Sequence, residues 1–130
     1  MTDFPITPRI ARGPQVITFS HYIAAALTTG AAKWEWICPF YATIRDVICD
    51  SETTGSGGTS DIVDVNKNGT TIYTTQDNRP TLLSGDTGMF TRGNPGVTAL
   101  NPGDVLSFDI DQVASTGSAR FKISIICVRH

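Results

Sequence analysis

Nucleophilic catalysis needs a base beside its nucleophile, and His21 and His130 are the only imidazoles in the chain. His130 is the last residue. His21 follows Ser20, but neighbouring residues of a strand point to opposite faces, so the two cannot form a dyad there. Paired carboxylates could serve glycoside hydrolysis. Asp109 and Asp111 share one strand face, and Asp61 and Asp64 sit near a turn, but no supporting motif accompanies either pair. Such pairs are ordinary on a solvated sheet face. Asp64-x-Asn66-x-Asn68-Gly69 matches the first half of a calcium loop; the twelfth position is Thr75, where that loop needs a bidentate carboxylate. A hairpin turn explains the same residues. Cys38, Cys49 and Cys127 follow no zinc spacing and lie in apolar runs, which predicts buried free thiols in a reducing compartment. SETTGSGGTS, residues 51–60, lacks the Lys-Ser/Thr ending of a phosphate loop. No catalytic residue, cofactor or metal site is expected.

Trp34 and Trp36 fall on one side of an alternating run. Paired tryptophans stack on sugars, anchor interfaces or fill a core. Tyr73 and Phe90 join them as candidate ligand or interface aromatics.

The elements that must position these residues are strands. Residues 15–20 and 33–39 are short β-prone runs, and 22–27 holds enough helix formers for one helical turn before Thr28-Thr29-Gly30 stops it. Residues 41–50 continue as a strand whose mixed phase predicts a bulge. Residues 51–60 form a flexible surface loop. Asn68-Gly69 between β-prone runs is the strongest hairpin signal, because both residues tolerate positive φ. Asn94-Pro95-Gly96 and Asn101-Pro102-Gly103-Asp104 are turns. Leu106, Phe108 and Ile110 then alternate with Ser107, Asp109 and Asp111, and Phe121, Ile123 and Ile125 with Lys122 and Ser124. About eight short strands separated by Gly/Pro turns predict an all-β, antiparallel β-sandwich, jelly-roll-like, over residues 15–130. Residues 1–14 carry Pro5, Pro8 and Pro14, which excludes a helix or central strand. They are expected to form an extended N-terminal arm whose apolar anchors dock on a neighbouring subunit, the alternative being a floppy terminus.

Charged residues make up 17% of the chain, below the usual quarter, and the net charge is −2 with no basic run. Nucleic-acid binding is not expected, since phosphate neutralisation needs clustered cations. No stretch is long and apolar enough for a membrane span, and no secretory signal is visible, so synthesis in a cytoplasm is expected.

Ile62 to Thr74 (IVDVNKNGTTIYT), the NRPT of residues 78–81 and GDVLSFDIDQV of residues 103–113 resemble, in that order, small β-sandwich modules of tailed-bacteriophage virion proteins: head decoration, head-fibre and tail-fibre types. The resemblance runs from Ala42 to Val128. It implies a virion structural protein and not an enzyme: a capsid decoration (cement) protein on the outer shell, a homotrimer bound to the major capsid protein. Phe4, Ile6, Ile10 and Arg12 are the expected arm contacts. The alternative is a carbohydrate or receptor-binding module of a tail or head fibre, with a host-surface glycan held by Trp34, Trp36, Tyr73 or Phe90.

Overall fold

A strand whose apolar residues recur every second position has one sticky face, and two such sheets satisfy each other by packing face to face. The computed structural model describes residues 15–53, 55–84 and 90–130. Within them ten strands follow in order: β1 (Gln15–Ile23), β2 (Gly30–Ile37), β3 (Ala42–Thr53), β4 (Asp61–Lys67), β5 (Thr70–Thr71), β6 (Thr81–Leu82), β7 (Phe90–Gly93), β8 (Ala99–Leu100), β9 (Val105–Gln112) and β10 (Ala119–Arg129). Among the described residues one 3-10 turn is seen, over Gln76–Asn78. No helix forms after β1: Ala24 and Leu27 are instead tied to the strand β10 approach, Ala24 O accepting from Arg120 N and Leu27 N donating to Ser118 O.

One sheet runs β1-β10-β3-β7, with β8 also on β3, and the other runs β2-β9-β4-β5, with β6 also on β4. The first strand pairs with the last, the second with the next to last, and so inward to β4 with β5. That nested antiparallel winding is the jelly-roll topology. The outermost pair joins residues from 98 (Ile23 and Phe121) to 114 (Gln15 and Arg129) positions apart.

The inner faces are the alternating sets read in the sequence. Leu106, Phe108 and Ile110 of β9 and Phe121, Ile123, Ile125 and Cys127 of β10 are buried, against Val47 and Cys49 of β3 and Val63 and Val65 of β4. Phe108 sits mid-core, its ring centroid 6.0 Å from those of both Trp36 and Phe121. Truncating such a residue to alanine costs about 3–5 kcal/mol. The bulge expected in β3 is present: the β3–β10 register shifts where Ile44 and Asp46 oppose Cys127 and Ile126, leaving Arg45 as the extra residue. Asn68 and Gly69 take φ of 52° and 84° between β4 and β5, as a tight hairpin requires. Cys38, Cys49 and Cys127 are buried with free thiols.

Residues 51–60, read from composition as flexible, are pinned where they are described. Ser56 exchanges two backbone hydrogen bonds with Thr116 (2.9 and 3.0 Å), and Gly55 N donates to Ser118 Oγ. The buried Asp61 carboxylate accepts from Ala114 N (2.7 Å) and Ser118 N (2.8 Å). Burial leaves those amides no water, so Asp61 is a structural cap and not a free acid.

Candidate functional site

β1 and β2 are the edges of their sheets on the same side of the sandwich. Their inward residues close the gap between the sheets. Phe19 meets Trp36 with ring centroids 6.2 Å apart, and His21 stacks on Trp34 at 4.5 Å with planes 10° apart. Burial declines toward one end of this seam. Trp36 packs on the core, while Trp34 is 49% exposed. On the outward face of β1, Val16 is 67% and Tyr22 49% exposed. The result is a side with exposed apolar and aromatic groups along two strands that have no outer neighbour among the described residues. Such groups adhere to protein surfaces, since aromatic side chains bury large area at low entropic cost.

The other candidate surface is the outer face of the β2-β9-β4-β5 sheet. The β4–β9 register sets Asp64 opposite Asp109, and a register shift between Ile62 and Val63 brings Asp111 beside them. One oxygen from each of Asp64, Asp109 and Asp111 lies within 4.8 Å of the others. Three converging carboxylate oxygens are the donor type for a hard cation such as Ca2+. In this protein they already have donors. Thr71 Oγ1 donates to Asp64 (2.6 Å), Asn66 Nδ2 (2.7 Å) and Ala32 N (2.7 Å) to Asp109, and Arg79 pairs with Asp111 (2.6 Å). Those bonds tie β2, β4, β5, β9 and the turn after Gln76–Asn78 into one network. Burial pushes the Asp64 carboxyl above its usual range; the Thr71 bond opposes this, and the charges of Asp111 and Asp109 add to it. The acidic set therefore acts as a lock on the sheet. A shallow groove beside it is lined by Ala32, Glu35, Asn66, Ser107 and Asp109.

The structure separates the residues singled out from sequence. Trp34 and Trp36 do share a face, at the seam. Tyr73 does not join them: it is fully buried, so it cannot line a surface groove or touch a ligand there. Its ring is apolar enough to be drawn into the core between the sheets, where its hydroxyl finds no hydrogen-bond partner among the described residues. Phe90 opens β7, and its side chain lies outside the described residues, as do Phe4, Ile6, Ile10 and Arg12. His130 ends against Thr43, 2.6 Å from its hydroxyl, and His21 lies under Trp34, so the two imidazoles serve different ends of the first sheet. Sequence reasoning missed two features. The Asp64–Asp109–Asp111 convergence depends on a cross-strand register that no local pattern encodes. The edge position of β1 did leave a trace, since Gln15 to Ile23 contains no Asp, Glu, Lys, Arg or Pro.

Comparisons with protein-family models, with curated proteins and with solved structures found no match.

Proposed function

We propose that this chain is a virion structural protein of a tailed bacteriophage, a capsid decoration protein that binds the outer shell through the major capsid protein. The observation that carries the reading is the aromatic-rich side formed by β1 and β2, with Val16, Tyr22 and Trp34 exposed on it, together with the position of residues 1–14 directly before β1 in the chain. A rigid jelly roll supplies the body. The arm, with Phe4, Ile6, Ile10 and Arg12, adds contacts by ordering on a neighbouring subunit, which wraps more surface than a globular face of this size offers. The sequence resemblance over residues 42–128 supplies the virion context.

The test is the copy number of this chain per purified virion, measured by quantitative mass spectrometry against the major capsid protein. Hundreds of copies match a shell lattice, which alone repeats a site that often. About a dozen or fewer would sink the decoration reading and favour the fibre module. Deleting residues 1–14 is expected to abolish shell binding while leaving the circular-dichroism melt of the sandwich intact. Full-affinity binding by the truncated chain would remove the arm from the mechanism.

A further inference from the structure

An edge strand presents unpaired backbone N–H and C=O groups at every second residue, and proteins blunt such edges with charge, proline, bulges or short length. The edges of this sandwich differ in that respect. β2 carries Lys33 and Glu35, and its register breaks between Gly30 and Trp34 around a left-handed Ala32 (φ 47°). β7 has four residues, among them Arg92, which pairs with Asp46 at 2.9 Å. β5, β6 and β8 have two residues each. β1 has none of these protections among the described residues. It runs for nine residues in unbroken register with β10, without a charged side chain or a proline.

We propose that β1 is an association edge and that its occupant is β1 of a second copy, paired antiparallel about a two-fold axis at Phe19. The strand is self-complementary in that arrangement. Full overlap of nine residues places Thr18 opposite Ser20 of the second copy and Val16 opposite its Tyr22. On the inner side Ile17 meets His21 of the second copy. The two most exposed apolar residues of the strand, Val16 and Tyr22, thus cover each other, and no like charges are opposed. Strand addition of this kind draws its affinity from main-chain hydrogen bonds and its register from alternate side chains. It joins the two β1-β10-β3-β7 sheets, each with β8 also on β3, into one continuous sheet of ten strands. The interface is isologous, which closes at two copies. It predicts a dimer where the resemblance implies a trimer, and it stands whether or not the chain is a virion protein.

The test is sedimentation velocity on the full chain over a wide range of concentration, with three proteins compared. The parent chain is expected to dimerise. In the variant Thr18→Lys with Ser20→Lys, lysines oppose each other at both cross-strand pairs. In Thr18→Lys with Ser20→Glu, each pair becomes opposite in sign. The dimer dissociation constant is expected to be about ten-fold or more weaker in the first variant than in the second. Hydrogen exchange on the parent chain needs no variant: β1 amides facing away from β10 should gain protection as concentration rises. A parent chain that stays monomeric, or forms a trimer, overturns the proposal. So does equal affinity in the two variants, or exchange in β1 that ignores concentration. None of these results touches the copy number in virions, so the two readings fail separately.

Discussion

Replacing Tyr73 with phenylalanine should stabilise this protein. Tyr73 is fully buried, and its hydroxyl has no hydrogen-bond partner among the described residues. Burial also drives the phenol's proton affinity upward, so the group is held neutral. The ring is fixed from its own backbone: Tyr73 N donates to Thr71 Oγ1 at 3.1 Å, and Gln76 Nε2 donates to Tyr73 O at 2.9 Å. Those bonds survive the substitution. The ring tip lies in the space that a side chain at Gly93 would occupy. A buried hydroxyl without a partner costs about 1–3 kcal/mol in lost hydration. Deleting one oxygen leaves a small void, which at ~24 cal/mol per Å3 returns only a few tenths of a kcal/mol. The balance is a gain of about 1–2 kcal/mol. In urea, where the slope for a chain of this size is about 1–3 kcal/mol per molar, the unfolding midpoint should rise by roughly 0.5–1 M at unchanged slope. A variant less stable than the parent by about 1 kcal/mol would refute the reasoning, because it would mean that the hydroxyl is bonded in the native protein.

Asp61→Ala removes the acceptor for two buried amides, Ala114 N and Ser118 N, and should lower unfolding stability by about 3 kcal/mol or more, read by the same titration. Asp64→Asn tests the acidic lock through pH. The native carboxyl titrates above its ordinary 3.8, so the folded chain holds a proton that the unfolded chain releases. Parent stability therefore falls as pH rises from about 3.8 through the raised native value. The asparagine variant has no such slope, so its melting temperature should match the parent in acid and exceed it near neutrality; a gap that does not change with pH contradicts the assignment. The thiols should be inert in the native state, since burial pushes Cys127 up to about 12 and Cys49 higher still. Alkylation by iodoacetamide should modify none of Cys38, Cys49 and Cys127 until the protein is unfolded, and rapid native labelling of Cys49 would show the core to be open.

Two arrays of bonds define how the sandwich positions its surfaces. At one end, Asp61 and Ser118 gather the loops after β1, β3 and β9. At the other, Cys38 N donates to Asp104 O (2.8 Å), Gly103 N to Cys38 O (2.7 Å) and Asn68 N to Val105 O (2.8 Å). Asp104 itself accepts from Asn101 N and Asn68 Nδ2, and those two bonds, the backbone one first, hold its carboxyl below the usual range. Its contribution has the opposite pH sense to that of Asp64: it is present above the ordinary carboxylate pKa and lost as pH falls through the lowered native value.

Local chemistry in the sequence was enough for the long strands, their inner faces and two turns, but not for the short β7 (Phe90–Gly93), which lies in a Gly-rich stretch that reads as turns, or for β8 (Ala99–Leu100). Alternation at Leu106-Phe108-Ile110 and at Phe121-Ile123-Ile125 names the buried side, because successive side chains of a strand point opposite ways whatever the strand pairs with. Asn68-Gly69 names the hairpin, because few other pairs tolerate two positive φ angles. The mixed phase of residues 41–50 signals a bulge for the same local reason, and the register with β10 places it at Arg45. Partner choice is different. β1 pairs with β10 across most of the chain, and nothing within residues 15–23 states which strand that is or that the other flank stays open. The meeting of Asp64, Asp109 and Asp111 needs the β4–β9 register and its shift, a property of two segments some forty residues apart. Tyr73 is amphipathic, and its type fits a surface groove as well as a core; packing of the two sheets decided for the core. Edges, registers and the fate of amphipathic side chains are set by contacts distant in sequence, and only the closed sandwich decided them.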